Sequence, residues 1–480
     1  METTSIFNNF EETKKPFYRN IFYKCEEFIL TSIKHFCILI GQRKTGKTFC
    51  LKQLEDKYMN AKYFNFKNID NENEQENIIQ MICEDNTDTI YLLDEITYLK
   101  HYDTKMFILA EVFTYNKRNS KIKIIITGSQ HLAIDYFASL AFATDANYIK
   151  TNFLTFPEWL RYKEIKEESI VENNYKDYLL NSCEFSKIED NYMYLKYCID
   201  ETITSTYNSA RIIYPQDCVE GIELDEIFTV AYCALLSLHD SENYDTFIKF
   251  EDKLEKVKHF FNSLNTDNKI STEEFNNAVN NTIIAQLKKI KYMTIFKFRI
   301  ILRVLLKADL IVITHLGTSP DNLIKDWLKR DNPSPIETCT DFFKLYNITF
   351  KYPLFYINII KDLVKNLNGV TLEDLITPPL LGSIVKCHIR GLLADIDNTS
   401  KVYGNNFGEE YKDFNNYYSE VDYINYFNNT LLEISIKDKK LKDLHFNDVS
   451  NNEEYKKIVT SKTKEDDMFI PYYKYIYKLS

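Results

Sequence analysis

A short glycine-containing segment constrains this sequence more than any other feature. Between Cys37 and Thr48 an apolar run ends at Gly41, and the pattern Gly-x-x-x-x-Gly-Lys-Thr follows. Gly41 and Gly46 allow the backbone to curl so that several N–H groups point at one phosphate chain, and Lys47 places a positive charge against it. The Thr48 hydroxyl is suited to bind Mg²⁺, and a helix that begins at Lys47 adds the positive end of its dipole. The segment therefore predicts a nucleoside-triphosphate site.

Two later segments supply the other groups that such a site requires. Thr89–Leu93 is an apolar run typical of a buried parallel strand, and it ends in Asp94 and Glu95. We expect Asp94 to hold Mg²⁺ and Glu95 to orient the attacking water. The next apolar run ends in a Thr-Gly-Ser triplet at 127–129, whose hydroxyls are candidates for contact with the γ-phosphate. The predicted site comprises the catalytic residues Lys47 and Glu95, the metal ligands Thr48 and Asp94, and the nucleotide contacts Gly41, Gln42, Arg43, Lys44, Thr45, Gly46, Lys47, Thr48, Thr127 and Ser129.

Strand and helix patterns alternate through this part of the chain. The expected strands are Phe36–Ile40, Lys62–Phe66, Ile90–Leu93, Ile122–Ile126 and Tyr148–Phe153. The expected helices are Lys47–Lys57, Glu74–Cys83, Thr104–Tyr115 and His131–Ser139. This alternation predicts an α/β fold with a parallel sheet and helices on both faces. Ligands in such sheets bind at the carboxyl ends of the strands, which is where the three motifs lie.

Composition limits the partners and the cell compartment. The chain of 480 residues has a net charge of −11, so any contact with nucleic acid requires a local basic surface. The 10 cysteines include no C-x-x-C pair, which argues against a zinc site and for reduced thiols. No uninterrupted apolar stretch approaches the roughly 18 residues of a membrane span. We expect a soluble, cytoplasmic protein with no membrane contact.

The segment Leu154–Leu160 reads Leu-Thr-Phe-Pro-Glu-Trp-Leu. With the glycine loop and the Thr-Gly-Ser triplet, it resembles the AAA-like P-loop ATPases of bacteria and archaea that carry a C-terminal restriction-endonuclease-like domain. In that family a Leu-Ser-Phe-x-Glu-Phe-Leu segment follows the last ATPase strand. The resemblance covers about 36–163, returns near 290–480, and implies ATP and Mg²⁺ as cofactors. The family's arginine before this segment is missing from residues 145–147, which leaves Arg43, Arg118, a protein partner or a second copy of the chain as its source.

The same resemblance implies a winged helix-turn-helix in the second half of the chain. A predicted amphipathic helix over 295–307 carries Arg299, Arg303 and Lys307 four residues apart, so the three share one face. That face is either a contact for the phosphate backbone of DNA or a solvated face of a packing helix.

A nuclease-like end is also implied by the resemblance, with departures. Glu420-Val421-Asp422 and Glu433 match the acidic positions of two successive strands. However, Lys386 occupies the family's helical glutamate position, and Ser435 replaces its lysine, with Lys437 two residues further on. Three alternatives remain: an inactive nuclease-like module, a working nuclease with a displaced lysine, or two acidic strands unrelated to a nuclease.

We therefore predict an ATPase domain over 1–165, a helical lid or insertion over 166–285, a winged-helix-like region over 286–325 and an α+β nuclease-like domain, inactive, over 326–480. The predicted function is ATP hydrolysis that drives a nucleotide-dependent switch, with contact to DNA through Arg299, Arg303 and Lys307. The alternatives are a non-hydrolysing ATP-binding adaptor or DNA-binding protein, and a Mg²⁺-dependent DNA nuclease that uses Asp422 and Glu433.

Overall fold

A computed structural model of the protein describes most of the chain. The described residues are 17–42, 45–117, 120–142, 145–181, 221–238, 249–265, 270–307, 309–316, 336–367, 369–396, 403–404, 423–425, 430–434, 456–466 and 469–479. The backbone forms two compact units, one of residues 1–152 with 160–165, and the other of residues 153–159 with 166–480.

The first unit is built on a five-stranded sheet in which all neighbouring strands are parallel. Its strands are β1 (Phe36–Gly41), β2 (Ala61–Asn65), β3 (Ile90–Asp94), β4 (Lys123–Thr127) and β5 (Ala146–Thr151). They lie in the order β2-β3-β4-β1-β5. Strand β4 thus separates β1 from β3, and the ends of β1, β3 and β4 that carry the predicted motifs share one edge. The prediction of a parallel α/β sheet is confirmed.

Alternate residues of the central strands supply two apolar layers, one on each face of the sheet. Ile38 of β1 and Leu93 of β3 belong to the layer covered by the helices that follow β2, β3 and β4. Cys37 and Leu39 of β1 belong to the layer covered by the first two helices. The helices of this unit are α1 (Asn20–Thr31), α2 (Lys47–Lys57), α3 (Glu72–Glu84), α4 (Tyr102–Glu111) and α5 (His131–Phe142). Burial on both faces explains why these strands are nearly continuous apolar runs.

The expected elements all occur, with small shifts at their ends. Helix α2 has the predicted bounds, whereas β5 begins two residues earlier than predicted, at Ala146. The helix predicted over Thr104–Tyr115 is α4 followed by a π-helical turn, Val112–Asn116. A π-turn inserts one residue into the helical repeat, so apolar periodicity alone does not locate it.

The second unit is largely helical. Its helices, with α6 spanning the join, are α6 (Phe156–Tyr162), α7 (Glu172–Asn181), α8 (Leu224–Tyr232), α9 (Phe250–Asn262), α10 (Thr272–Val279), α11 (Ala285–Lys288), α12 (Ile295–Lys307), α13 (Cys339–Leu345), α14 (Pro353–Lys365), α15 (Leu372–Leu375), α16 (Pro378–Ile396) and α17 (Tyr472–Leu479). Helix α6 begins with a capping box, because Thr155 N–H donates to the Glu158 carboxylate (2.9 Å) while Glu158 N–H donates to the Thr155 hydroxyl (3.4 Å). The Leu-Thr-Phe-Pro-Glu segment therefore has a structural role as a helix start.

The described residues of this unit also form two small sheets. Strand β6 (Ile311–Leu316) lies between β7 (Tyr346–Phe350), which is antiparallel to it, and β8 (Tyr403–Gly404), which is parallel. The other sheet has the order β12-β11-β10-β9, with strands β9 (Tyr423–Asn425), β10 (Thr430–Glu433), β11 (Lys456–Ser461) and β12 (Phe469–Pro471). Strands β9 and β10 are antiparallel, and the other neighbours are parallel. Within the described residues, no helix is long and apolar enough to cross a membrane.

Candidate functional site: a phosphate loop at the edge of the parallel sheet

The two glycines of the loop occupy positions that disfavour a side chain, for different reasons. Gly41 ends β1 with φ +151°, and a Cβ atom there would lie 2.3 Å from the carbonyl oxygen of Thr151 on β5. Gly46 has φ +82° and is the N-cap of α2, a left-handed conformation that glycine adopts without steric cost. The first glycine therefore permits close approach of β1 and β5, and the second turns the chain into the helix.

Lys47 is buried at the centre of this loop, with 7 % of its surface exposed. Its ammonium Nζ donates to the carbonyl oxygens of Gly41 (2.9 Å) and Gln42 (2.7 Å). The Thr45 hydroxyl also donates to the Gln42 carbonyl, at 2.7 Å. The loop thus holds a positive charge beside the N-terminus of α2, where anions are stabilised.

Arg19, which lies outside the sequence of the loop, stabilises the loop through hydrogen bonds. No sequence motif indicated this role. Its Nη1 donates to the carbonyl of Thr45 (2.7 Å) and its Nη2 to the carbonyl of Asn152 (3.1 Å). The Thr151 hydroxyl donates to the same Thr45 carbonyl at 3.0 Å. The planar guanidinium is a rigid fork of donors, so it fixes the loop relative to the end of β5.

Asp94 ends β3 with only 1 % of its surface exposed. Its carboxylate accepts a hydrogen bond from the Tyr63 hydroxyl (2.8 Å) and one from the N–H of Glu95 (2.9 Å). Burial raises the pKa of Asp94 above its usual range, and the nearby Thr48 and Tyr63 hydroxyls oppose that rise. The fold therefore brings together Thr48 and Asp94, the two predicted metal ligands, and adds Tyr63, which sequence reasoning missed.

The Thr48–Asp94 pair fits Mg²⁺ by its donor chemistry. A hydroxyl and a carboxylate are hard oxygen ligands, and Mg²⁺ is usually held by one or two carboxylates together with waters and substrate phosphates. Among the residues that the structure describes, no cluster of three His, Cys, Asp or Glu side chains is placed to hold a metal. A Mg²⁺ site that uses one carboxylate, one hydroxyl, waters and phosphate oxygens does not need such a cluster.

Glu95 adopts a left-handed backbone conformation, with φ 52° and ψ 44°. Its carboxylate accepts hydrogen bonds from the Ser129 N–H (3.0 Å) and the Ser129 hydroxyl (2.7 Å), both on Oε2. Non-glycine residues in this conformation are uncommon and concentrate at functional sites. The end of β3 and the end of β4 are thus joined through the two side chains that were predicted to act on the γ-phosphate.

Thr127 behaves differently from Ser129. The Thr127 side chain is fully buried, and its hydroxyl donates to the carbonyl of Leu39 at 2.7 Å. It joins β4 to β1 inside the sheet, so Ser129 is the hydroxyl of the triplet that reaches Glu95.

Several predicted residues lie outside what the structure describes. Arg43 and Lys44 of the loop, Arg118, and Asp422 with Glu420 of the acidic segment are among them, as are Ser435 and Lys437. Glu433 ends β10, but its side chain is not described, and Lys386 lies within α16. The acidic pair and its nuclease interpretation therefore stay predictions.

The predicted basic helix is observed as α12, but most of its faces are buried. Phe298, Ile301 and Leu302 have at most 1 % of their surface exposed. Arg299 and Arg303 are of intermediate exposure, and the Arg299 guanidinium lies 6.0 Å from the centroid of the Phe296 ring. The side chain of Lys307 is outside the described part. This environment favours the packing interpretation of the helix over the DNA-binding one.

Residues 34–160 match the family model of the AAA domain. This range contains the phosphate loop, the Asp94–Glu95 pair and the Thr-Gly-Ser triplet, and the match confirms the AAA-like P-loop part of the resemblance. The family match stops before the C-terminal half, so it lends no support to a nuclease-like domain there. A comparison with curated proteins gives no match.

Similar chains among solved structures include DnaA, Orc1 and Cdc6p. The replication initiator DnaA bound to AMPPCP and single-stranded DNA is 12% identical over 60% of this chain and 90% of its own, with TM-score 0.27. The Aeropyrum pernix Orc1 protein in complex with DNA is 11% identical over 73% of this chain and 94% of its own, with TM-score 0.25. Cdc6p from Pyrobaculum aerophilum is 12% identical over 75% of this chain and 97% of its own, with TM-score 0.26. Scores of this size do not establish a common fold over the aligned lengths.

Proposed function

We propose that this protein binds ATP with Mg²⁺ at the phosphate loop and hydrolyses it slowly as a nucleotide-dependent switch. The observation that carries the proposal is the buried Lys47 ammonium in the loop before α2, together with the buried Asp94 carboxylate at the end of β3. A structural glycine turn does not require a buried lysine, a buried carboxylate and a hydroxyl at the same sheet edge. A triphosphate site requires all three.

Each group has a distinct task in this proposal. Lys47 exchanges its loop carbonyls for phosphate oxygens, and the N-terminus of α2 adds its dipole. Thr48 and Asp94 hold Mg²⁺, which offsets phosphate charge. Glu95 orients the attacking water once it leaves Ser129, and the freed Ser129 hydroxyl then contacts the γ-phosphate. The pairing of Glu95 with Ser129 supports a switch, because one hydroxyl serves either the carboxylate or the nucleotide.

The source of a transition-state arginine bears on the rate. Arg19 lies near the loop, but its guanidinium donates hydrogen bonds to the carbonyls of Thr45 and Asn152. We propose that an arginine supplied by a second copy of the chain or by a protein partner accelerates the reaction. Such an arginine contributes on the order of 10³-fold or more in related phosphoryl-transfer sites.

A non-hydrolysing adaptor is the second candidate. The Glu95 carboxylate accepts two hydrogen bonds from Ser129, which leaves it engaged rather than turned to a water. In that case nucleotide is structural, and contact with DNA through Arg299, Arg303 and Lys307, or nuclease chemistry at Asp422 and Glu433, is the function to test.

Isothermal titration with ATP tests the binding step. We expect saturable binding that weakens at least tenfold in EDTA, and we expect Asp94→Asn to remove that metal dependence. Asp85→Asn is the matched control, because Asp85 pairs with Tyr91 away from the loop. Folded protein that shows no ATP binding with Mg²⁺ would overturn the proposal.

The Glu95→Gln variant separates the switch from the adaptor. A switch loses turnover by roughly 10²–10⁴-fold while it still binds ATP, and its biological output is lost with it. An adaptor retains output with ATP bound.

A further inference from the structure

The second unit contains a cavity of about 250 Å³ that the nucleotide site does not use. Helices α8 (Leu224–Tyr232) and α14 (Pro353–Lys365) both line it. Most of its walls are apolar, and two of its aromatic rings, Phe228 and Phe355, come from these two helices. An apolar cavity of roughly 150 Å³ accommodates benzene, so this one has room for two fused rings.

One buried polar side chain faces this cavity without a partner. Asn358 of α14 lines the wall with 5 % of its surface exposed. Neither its Nδ2 nor its Oδ1 has a hydrogen-bond partner among the described residues. Its sequence neighbours on the same helix, Ile357 and Ile359, are also buried. A buried amide without partners is costly, so an amide that faces a cavity calls for a hydrogen-bond partner inside it.

The charge of the lining disfavours ligands that carry phosphate groups. Asp362 follows Asn358 by one helical turn, so the two side chains share a face of α14. Burial raises the pKa of Asp362 to about 6. Asp225 is the second carboxylate of the lining, and it pairs with Lys289 (2.9 Å). None of the described residues that line the cavity is a lysine or an arginine, so phosphate groups find no counter-charge there.

Two other polar side chains of the wall, Gln286 and Thr282, already have partners. Gln286 Nε2 donates to the Thr229 hydroxyl at 3.0 Å, and the Thr282 hydroxyl accepts from Asn366 at 3.2 Å. A ligand therefore has to satisfy chiefly Asn358, with a donor and an acceptor side by side. It also has to be flat enough to pack on the rings and carry no negative charge.

We propose that this cavity binds a neutral purine of the adenine type, as the free base or its nucleoside, at a site separate from the phosphate loop. A carboxamide pairs with adenine through two hydrogen bonds, accepting from N6–H and donating to N7. Guanine presents two acceptors, O6 and N7, at the corresponding edge, and would leave the Asn358 oxygen unpaired. The aromatic walls stack on the base, as they do wherever proteins bind unpaired bases.

Titration of the full-length protein with adenine, adenosine, guanine and AMP in Mg²⁺-free buffer tests the proposal. We expect adenine or adenosine to bind at least tenfold more tightly than guanine or AMP. Asn358→Leu, of similar size, should abolish this binding, whereas Lys365→Ala, at an exposed position of the same helix that does not line the cavity, should not. Ala231→Leu provides a second route, because it fills the cavity from α8.

Lys47→Ala distinguishes the two sites. The proposal requires adenine binding to persist in Lys47→Ala and ATP binding to persist in Asn358→Leu. It is overturned if folded wild-type protein binds neither adenine nor adenosine at millimolar concentration, or if binding survives both Asn358→Leu and Ala231→Leu. Loss of adenine binding in Lys47→Ala alone, or tighter binding of AMP than of adenosine, would also overturn it.

Discussion

Replacing Tyr63 by Phe isolates a single hydrogen bond at the predicted magnesium site. The Tyr63 hydroxyl donates to the Asp94 carboxylate at 2.8 Å, and the ring keeps its place because Lys52 lies over its face, 3.6 Å from the centroid. A hydrogen bond to a charged group contributes about 1.5–3 kcal/mol. Because Tyr63 is partly exposed, the lower end of this range applies, which corresponds to roughly tenfold in an equilibrium constant.

This bond stabilises the ionised form of Asp94, the form that binds Mg²⁺. Burial already raises the pKa of Asp94, and loss of the Tyr63 hydroxyl removes one of the groups that lower it. We therefore expect Tyr63→Phe to raise the Mg²⁺ concentration for half-maximal ATP turnover about tenfold. The acidic limb of the pH–rate profile should move to higher pH, since the carboxyl group then protonates more readily.

The assay is ATP turnover over a Mg²⁺ series and a pH series. Tyr91→Phe is the matched control, because Tyr91 on the neighbouring strand donates to Asp85 at 2.6 Å and lies away from the loop. It should leave both curves unchanged. Superimposable curves for wild type and Tyr63→Phe, in protein of normal stability, would refute the role given to this hydroxyl.

Three further predictions concern the phosphate loop, the bond between Ser129 and Glu95, and the second unit. Arg19→Lys loses the two-pronged contact with the carbonyls of Thr45 and Asn152, so ATP affinity measured by calorimetry should fall about tenfold; equal affinity would contradict the bracing role. Ser129→Ala removes the 2.7 Å bond to Glu95 together with the proposed γ-phosphate contact, so kcat should fall at least tenfold with KM nearly unchanged; a raised kcat would show that the bond only restrains Glu95. His388 is buried and bonded to Tyr175 at 2.8 Å, and burial lowers its pKa to about 3. An unfolded histidine takes up a proton below about pH 6.5, so stability is complete above that pH and declines as the pH falls, by about 2 kcal/mol at pH 5. Urea unfolding of His388→Gln at pH 8 and pH 5 should lack this component, and an unchanged pH dependence would contradict it.

The parallel sheet was predictable because its strands are buried on both faces. Runs such as Ile90–Leu93 and Ile122–Ile126 have no polar interruption, and glycine spacing marks the turn from β1 into α2. Chain order alone does not give spatial order, so the position of β4 between β1 and β3 came only from the fold.

The chemistry of the site was only partly predictable. Thr48 and Asp94 follow a known pattern, so their place at one edge of the sheet was expected. Tyr63 and Arg19 belong to no motif, since their partners lie 31 and 26 residues away in sequence. Asn358 is likewise an ordinary polar residue in the sequence. Only the folded structure shows that its amide lacks a hydrogen-bond partner and faces a cavity.

The most direct test of the central claim is ATP turnover with Mg²⁺ by the wild-type protein and by Lys47→Ala, with Lys57→Ala as a matched control at the other end of the same helix. Lys57 is exposed and pairs with Glu26, so its loss should leave the rate unchanged. The account predicts slow turnover in wild type and Lys57→Ala and none in Lys47→Ala. Turnover that persists in Lys47→Ala would contradict it, because the buried ammonium in the loop would then have no part in the reaction.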